Sequence, residues 1–509
     1  MGNPMRRVRA ALWGLPFIVA VAAYLVLPGA LQWRHAAALA AAHLNIVEQV
    51  QTEVAASDPV LAARLAAAST SSQAPPIALT YHDIGYHGDK YTVTPEAFAA
   101  HMQLIHDAGW TTLTSAQIRD WLRGTPLPPH SVMITFDDGA RGVWKYADPI
   151  LARHNQHATA FVITGFVGTH APYYMTWDEL TRLHASGRWD LEAHTHLGHV
   201  QVPASAEGEN RPFLTTLQYL PEQRRVETSQ EYRARVEADL KECKNQFVVH
   251  GLPEPTLFAF PFSAHQDDAE STEILQDLVT SNYAAGMLDQ ADAVTVTTSD
   301  HQSQGNIARM DMTYDVTPEI LADRMIAASP LEPAAAQPLS DTGEWMTSER
   351  QPASVNVVDG KLILDPGAGR DLSLQYARYR SSMWDTYTVS ADIGTFTHSA
   401  DGTTTGLTVL VGDSRHEVQL SVSSQAYHIS QGYRSPVVVA AGPLPPAPSY
   451  HAVIAVTPEQ VVVTIDDQTV ATVPVRSEKP HATAGGISVS AHRKYADSPV
   501  PVIANLEIG

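Results

Sequence analysis

The stretch from residue 77 to 330 constrains this chain more than any other feature, because short apolar runs alternate there with longer segments of helical spacing. Ile77–Tyr81 reads as a strand, and Thr94 with Pro95 opens a helix carrying Phe98, Met102 and Ile105 and stopped at Gly109. Thr114 opens another helix that ends near Gly124. Val132–Phe136, Thr159–Thr164 and Leu257–Phe260 read as further strands. Thr176 with Glu179, and Thr228 with Glu231, have the spacing of capping boxes, and Thr317-Pro318 opens a last helix. Repeated strand–helix units imply a parallel sheet, here a distorted (β/α) barrel of fewer than eight strands.

The texture changes after Pro330. Residues 331–344 form a Pro- and Ala-rich linker, and residues 345–509 are dominated by period-two, β-branched runs separated by turns such as Asp359-Gly360 and Asp401-Gly402. That pattern predicts an all-β sandwich that resembles concanavalin- and laminin-G-like modules. A carbohydrate-binding role there would draw on Trp384, Tyr427 or Tyr433 as stacking residues, and a spacer role fits the same pattern.

At the other end, Arg6, Arg7 and Arg9 precede an almost uncharged run from Ala10 to Leu31. The run reaches the roughly 20 residues that cross a bilayer, so residues 1–34 read as a cytoplasmic start and transmembrane anchor. A cleaved signal peptide is the competing reading, with secretion as its consequence. Both place the bulk of the chain outside the membrane. Residues 35–76 read as an Ala-rich helical stalk and a flexible joint.

A formal charge of −21 excludes a phosphate-backbone binder, which needs clustered Lys and Arg. Cys243 is the single cysteine, which excludes an internal disulfide and a Cys-rich zinc module.

Three of the expected strands run into conspicuous residues. Val132–Phe136 leads to Asp137-Asp138-Gly139, Leu191–Ala193 to His194-Thr195-His196-Leu197-Gly198-His199, and Leu257–Phe260 to Pro261-Phe262-Ser263. In a parallel barrel all strand C-termini open on one face, where active sites sit. Two imidazoles and a carboxylate there would suit Zn²⁺ with a position left for water, and the second carboxylate would be free to take a proton. Tyr81, His82 and Asp83 end the first strand and should reach the same face.

The sequences LTYHDI (79–84), TFDDG (135–139), HTHLGH (194–199), FAFPFS (258–263) and GNIAR (305–309) resemble the polysaccharide deacetylases of the NodB-homology type, carbohydrate esterase family 4. The branch they approach most includes poly-N-acetylglucosamine de-N-acetylases. The resemblance covers about half the chain. It implies Asp137 as general base and Asp138 as a metal ligand. The other two ligands are His194 and His199, or His196 and His199; the wider spacing of that branch selects His194 and His199. It further implies an oxyanion donor in the backbone near Pro261 and Phe262. The usual Arg of the Pro-aromatic motif is missing, with Arg309 as its substitute, and so is the usual Leu-x-His acid motif. His301 and His265 stand in as acid. The implied function is metal-dependent N-deacetylation, with O-deacetylation second, of an acetylated polysaccharide, using Zn²⁺ or another divalent ion such as Ni²⁺, Co²⁺ or Fe²⁺. Peptidoglycan, chitin and acetylxylan are alternative substrates, and a glycan-binding protein with a vestigial site is the non-enzymatic alternative.

Overall fold

The computed structural model describes residues 46–70, 74–266, 268–290, 294–298, 301–302, 304–347, 352–382, 384–394, 403–410, 417–432, 435–475 and 485–509. Among them, seven parallel strands close into a barrel: β1 (Ile77–Tyr81), β2 (Ser131–Phe136), β3 (Ala158–Val162), β4 (Trp189–Ala193), β5 (Leu257–Ala259), β6 (Ala285–Gln290) and β7 (Asn306–Asp311). β1 pairs with β7 on one side and with β2 on the other, from Ile77 opposite Val132 to Tyr81 opposite Phe136, which completes the ring. β1, β3 and β5 are buried at every position, as strands covered on both faces must be, so their sequences are mostly apolar, with Thr80 and Thr159 the polar residues among them.

The helices between them start where the capping signals lie. Thr94, Thr114, Thr176, Thr228 and Thr317 each accept a backbone N–H from the first turn, and Gln117, Glu179 and Glu231 return the bond to the cap. Each helix therefore begins at a fixed residue. That fixes where the preceding loop must end, and hence which residues are left at the mouth of the barrel.

The C-terminal part is a sandwich of two antiparallel sheets, each of seven strands among the described residues. Burial alternates along strands such as Tyr387–Gly394 and Ser449–Val456, and the inward residues form one core that includes Val389, Ile393, Ile454 and Val463. Trp384 belongs to that core: it is 4% exposed and its indole N–H donates to the Leu331 carbonyl. The stacking role expected for it is thereby corrected, since a ring held by the linker presents no face to a glycan. Tyr427 is half-buried beside the same core, and Tyr433 lies outside the described residues. The linker is docked: Arg380 donates to the Ser329 carbonyl and pairs with Glu344 at 2.6 Å.

Two N-terminal expectations change. No helix among the described residues is long and apolar enough to cross a membrane. The run Ala10–Leu31 that suggested an anchor lies outside those residues, so the membrane-anchored, exported placement loses its support. The stalk is corrected in its described part. Residues 46–57 are non-helical and strapped to the barrel's helical layer, with the Val47 N–H donating to Glu179 and Trp144 donating to the Val47 carbonyl. Only Pro59–Ala66 is helical, capped by Asp58. Helix propensity alone favours a continuous helix through the Ala-rich sequence, and docking to the barrel outweighs propensity.

Candidate active site

Parallel strands carry their C-terminal residues to one rim, and the loops after β1, β2, β4 and β5 meet there. The loop after β2 reverses sharply. Asp138 has φ 70° and Gly139 φ 81°, while the Asp137 N–H stays bonded to the Tyr81 carbonyl at 3.0 Å. A non-glycine residue with positive φ carries strain that the surrounding structure must hold, and Asp138 is such a residue. The turn directs neighbouring carboxylates to different partners.

Asp138 meets two imidazoles. Its Oδ1 lies 3.4 Å from His194 Nε2 and 3.3 Å from His199 Nε2, and ligand atoms from all three residues lie within 4.8 Å of one another. Neither contact is a hydrogen bond; Oδ1 is buried without a partner. His194 Nδ1 bonds the Ala259 carbonyl at 2.9 Å, which fixes the proton on that nitrogen and turns the Nε2 lone pair toward Asp138. Burial pushes Asp138 up, but His194 and the neighbouring imidazoles outweigh it and hold the carboxyl well below its ordinary range. Burial, reinforced by His194, lowers His199 to about 4, so its ring is neutral near pH 7. An ionised carboxylate and a neutral imidazole converging on an orphaned buried oxygen are what a divalent cation requires, so these residues fit one.

Asp137 belongs to a second, adjoining network. Arg309 grips it in two 2.7 Å bonds, Nη1 to Oδ1 and Nη2 to Oδ2, and also reaches Asp289 Oδ1 at 2.8 Å and Thr135 Oγ1 at 3.1 Å. Burial opposes ionisation of Asp137, but Arg309 and His194 outweigh it and keep the carboxyl low. Asp289 is lifted to about 6 by burial, against the pull of Arg309 and with the help of Asp137. His82 completes this group, with a ring nitrogen within 4.8 Å of the Asp137 and Asp289 carboxylates. Its ring packs on Tyr91 with centroids 4.6 Å apart, and its buried Nδ1 has no hydrogen-bond partner.

The structure separates other expected site residues. His196 turns away to Thr164 Oγ1 at 3.0 Å, so His194 and His199 are the histidines brought together with Asp138. Tyr81 is corrected to a core residue. It is fully buried, stacked on Phe136 and edge-on to Phe98, with its hydroxyl 3.0 Å from His101 Nδ1, because the last residue of β1 points to the helical layer. Asp83 sits under the rim beside Gly142, its Oδ1 buried without a hydrogen bond, and burial raises it to about 6. His301 is also corrected: it lies just ahead of β7, whose first residue is Asn306, and so at the end of the barrel opposite the carboxylates. His265 Nδ1 bonds the Ser263 carbonyl at 2.8 Å in the loop after β5. Phe262, with φ 58°, is 52% exposed and lays its ring on His199 with centroids 4.4 Å apart. Asp289 was missed. The signal for it was an acidic residue ending the apolar run Met287-Leu288.

Residues 124–278 match the polysaccharide deacetylase family. The chain is 26% identical over 185 residues to poly-beta-1,6-N-acetyl-D-glucosamine N-deacetylase of Escherichia coli K12, covering 34% of this chain and 28% of that protein. The enzyme of the same name from Staphylococcus epidermidis is 30% identical over 133 residues, covering 25% of this chain and 44% of that one. The chain thus spans less than half the length of these curated relatives. Among solved structures, the deacetylase domain of BpsB from Bordetella bronchiseptica aligns at 24% identity and a TM-score of 0.40, covering 48% of this chain and 98% of that one.

Proposed function

This chain carries a polysaccharide deacetylase domain, and from that premise we propose that it hydrolyses N-acetyl groups on poly-β-1,6-N-acetylglucosamine, releasing acetate. The observation that carries the reading is the meeting of Asp138, His194 and His199 within 4.8 Å of one another, beside an Asp137 locked by Arg309. The names of the relatives support the choice of polymer.

In this reading Asp138, His194 and His199 would hold a divalent ion, Zn²⁺ by donor type. Such an ion, when bound, polarises the acetyl oxygen and makes water acidic enough to react near neutral pH. Asp137 accepts the proton of the attacking water. Arg309 occupies one side of each of its oxygens and leaves the other free to take it. Arg309 also keeps Asp137 ionised despite burial, so the base is ready at neutral pH. His82 gives a proton to the departing amine nitrogen. Its ring nitrogen lies within 4.8 Å of the Asp137 and Asp289 carboxylates, beside the proposed base. A backbone N–H of the Pro261–Phe262 turn serves the oxyanion of the tetrahedral intermediate, supported by the left-handed backbone that sets this turn against His199.

The test is acetate release by the purified protein from poly-β-1,6-N-acetylglucosamine, chitin oligomers and acetylxylan, with added Zn²⁺ and with chelator. Release from the first polymer, abolished by chelator and restored by metal, is the expected result. Preference for another polymer overturns the substrate, and release indifferent to chelator overturns the metal-holding role.

A further inference from the structure

We propose that Asp239 is a positioning residue: it shapes the loop His194–His199 from outside the barrel and so sets the affinity of the site for a divalent cation. The inference rests on the metal-holding role proposed above for Asp138, His194 and His199.

Asp239 lies on the helix Ser229–Val249, whose remaining buried positions are mostly apolar, and is 9% exposed. A carboxylate in that place needs partners, and its partners are consecutive backbone amides. Oδ1 accepts from Leu197 N at 2.7 Å and Oδ2 from His196 N at 3.0 Å. Successive amides converge on one anion only when the chain coils tightly around it, and the left-handed backbone at Thr195, φ 71°, begins that coil. The fit is close at Gly198. A Cβ there would stand 3.1 Å from Asp239 Oδ2 and 3.0 Å from the Phe213 ring. On the opposite side, the N–H groups of Thr164 and Gly165 hold the carbonyls of Thr195 and His196 at 3.1 and 2.9 Å.

The loop joins two ligands with different support. His194 is 2% exposed and fixed by the Ala259 carbonyl. The His199 side chain is 20% exposed, and the ring packed on it, Phe262, is itself exposed. Side-chain packing therefore holds His194, whereas the position of His199 follows from the shape of the preceding backbone. Asp239 makes that shape without touching the site.

The experiment compares Asp239→Asn with wild type in two readouts: Zn²⁺ affinity, by competition with a chromophoric chelator, and amide exchange at His196 and Leu197 in metal-free protein. Asn keeps the shape but loses the charge and one acceptor. The expected result is a 10–100-fold weaker Zn²⁺ affinity, on the order found for residues that orient ligands, with faster exchange at those amides. Asp148→Asn is the control, since Asp148 holds Arg188 and Trp189 elsewhere. It should lower the denaturation midpoint and leave Zn²⁺ affinity unchanged. If Asp239→Asn does not fold, Gly198→Ala reads the same contact from the loop side. Loss of affinity there supports the proposal, and wild-type affinity overturns it. Normal Zn²⁺ uptake with an indifferent Asp239→Asn overturns this inference alone. A wild-type protein that takes up no Zn²⁺ overturns the metal-holding reading and this inference with it.

Discussion

Arg309 and Asp137 face each other through two 2.7 Å bonds, both side chains closed off from solvent. The arginine comes from β7 and the aspartate from the loop after β2, so the pair ties the ends of a ring of strands across its interior. Breaking it strands a buried charge.

Arg309→Met should therefore cost about 3–5 kcal/mol of stability and change the pH profile in a defined direction. Without the guanidinium, burial of Asp137 is opposed only by the imidazoles, and its pKa rises. The acid limb of kcat/KM then moves to higher pH. In the wild type the carboxylate is held low, so its contribution to stability is present above the ordinary Asp value of about 3.9 and fades as pH falls through the lower folded value. Urea denaturation and pH–rate profiles of both proteins check this, and an unmoved acid limb would sink the assignment of Asp137 as base.

Asp138→Gly separates function from stability. The residue sits at φ 70°, where glycine is unstrained, and its Oδ1 is buried without a hydrogen bond. Metal content, read by elemental analysis, should fall to background and deacetylation with it. In the metal-free proteins, relief of the backbone strain, on the order of 1 kcal/mol, offsets the lost attraction of the imidazoles that hold the carboxyl low, so stability should change little. A large loss of stability would mean that Asp138 is a structural residue.

His82 and His301 make a paired test of the proton donor. His82→Ala should lower kcat by about 10²–10⁴-fold with KM little changed, because the residue stands with Asp137 and Asp289. His301→Ala should leave both parameters at wild-type values, since it lies ahead of β7 at the opposite end of the barrel. Equal losses in the two variants would undo the assignment.

The contrast between these histidines shows what was legible in the sequence. Strand runs and capping boxes are local patterns, and the parallel barrel follows from their alternation, as do Asp137, Asp138 and the histidine loop at the strand ends. The side of a strand that a residue faces is less legible at its last position. Tyr81 and His82 are neighbours, yet one enters the core and the other the site. Long-range partners leave no local mark at all. Asp289 and Arg309 are 20 positions apart in sequence, and Asp239 meets His196 across 43 residues, so only the closed ring and its helical layer bring them together.

Asp83 gives the last prediction, one of stability rather than catalysis. Burial raises its carboxyl to about 6, against the pull of the nearby Ile84 and Gly142 backbone N–H groups. A carboxylate with a raised folded pKa binds its proton more tightly when folded, so stability falls as pH rises from about 4 to about 6 and stays lower above that. Asn removes the ionisation and keeps the size of the side chain, with an oxygen facing the same N–H groups. Asp83→Asn should then match wild type near pH 4 and exceed it at pH 7 by about 2–3 kcal/mol, because each tenfold gain in proton affinity on folding is worth about 1.4 kcal/mol. Chemical denaturation at the two pH values decides it. A variant destabilised equally at both would mean that the charge of Asp83 is compensated in the fold, and that its place beside Gly142, where a Cβ would stand 2.2 Å from its Oδ1, reflects packing alone.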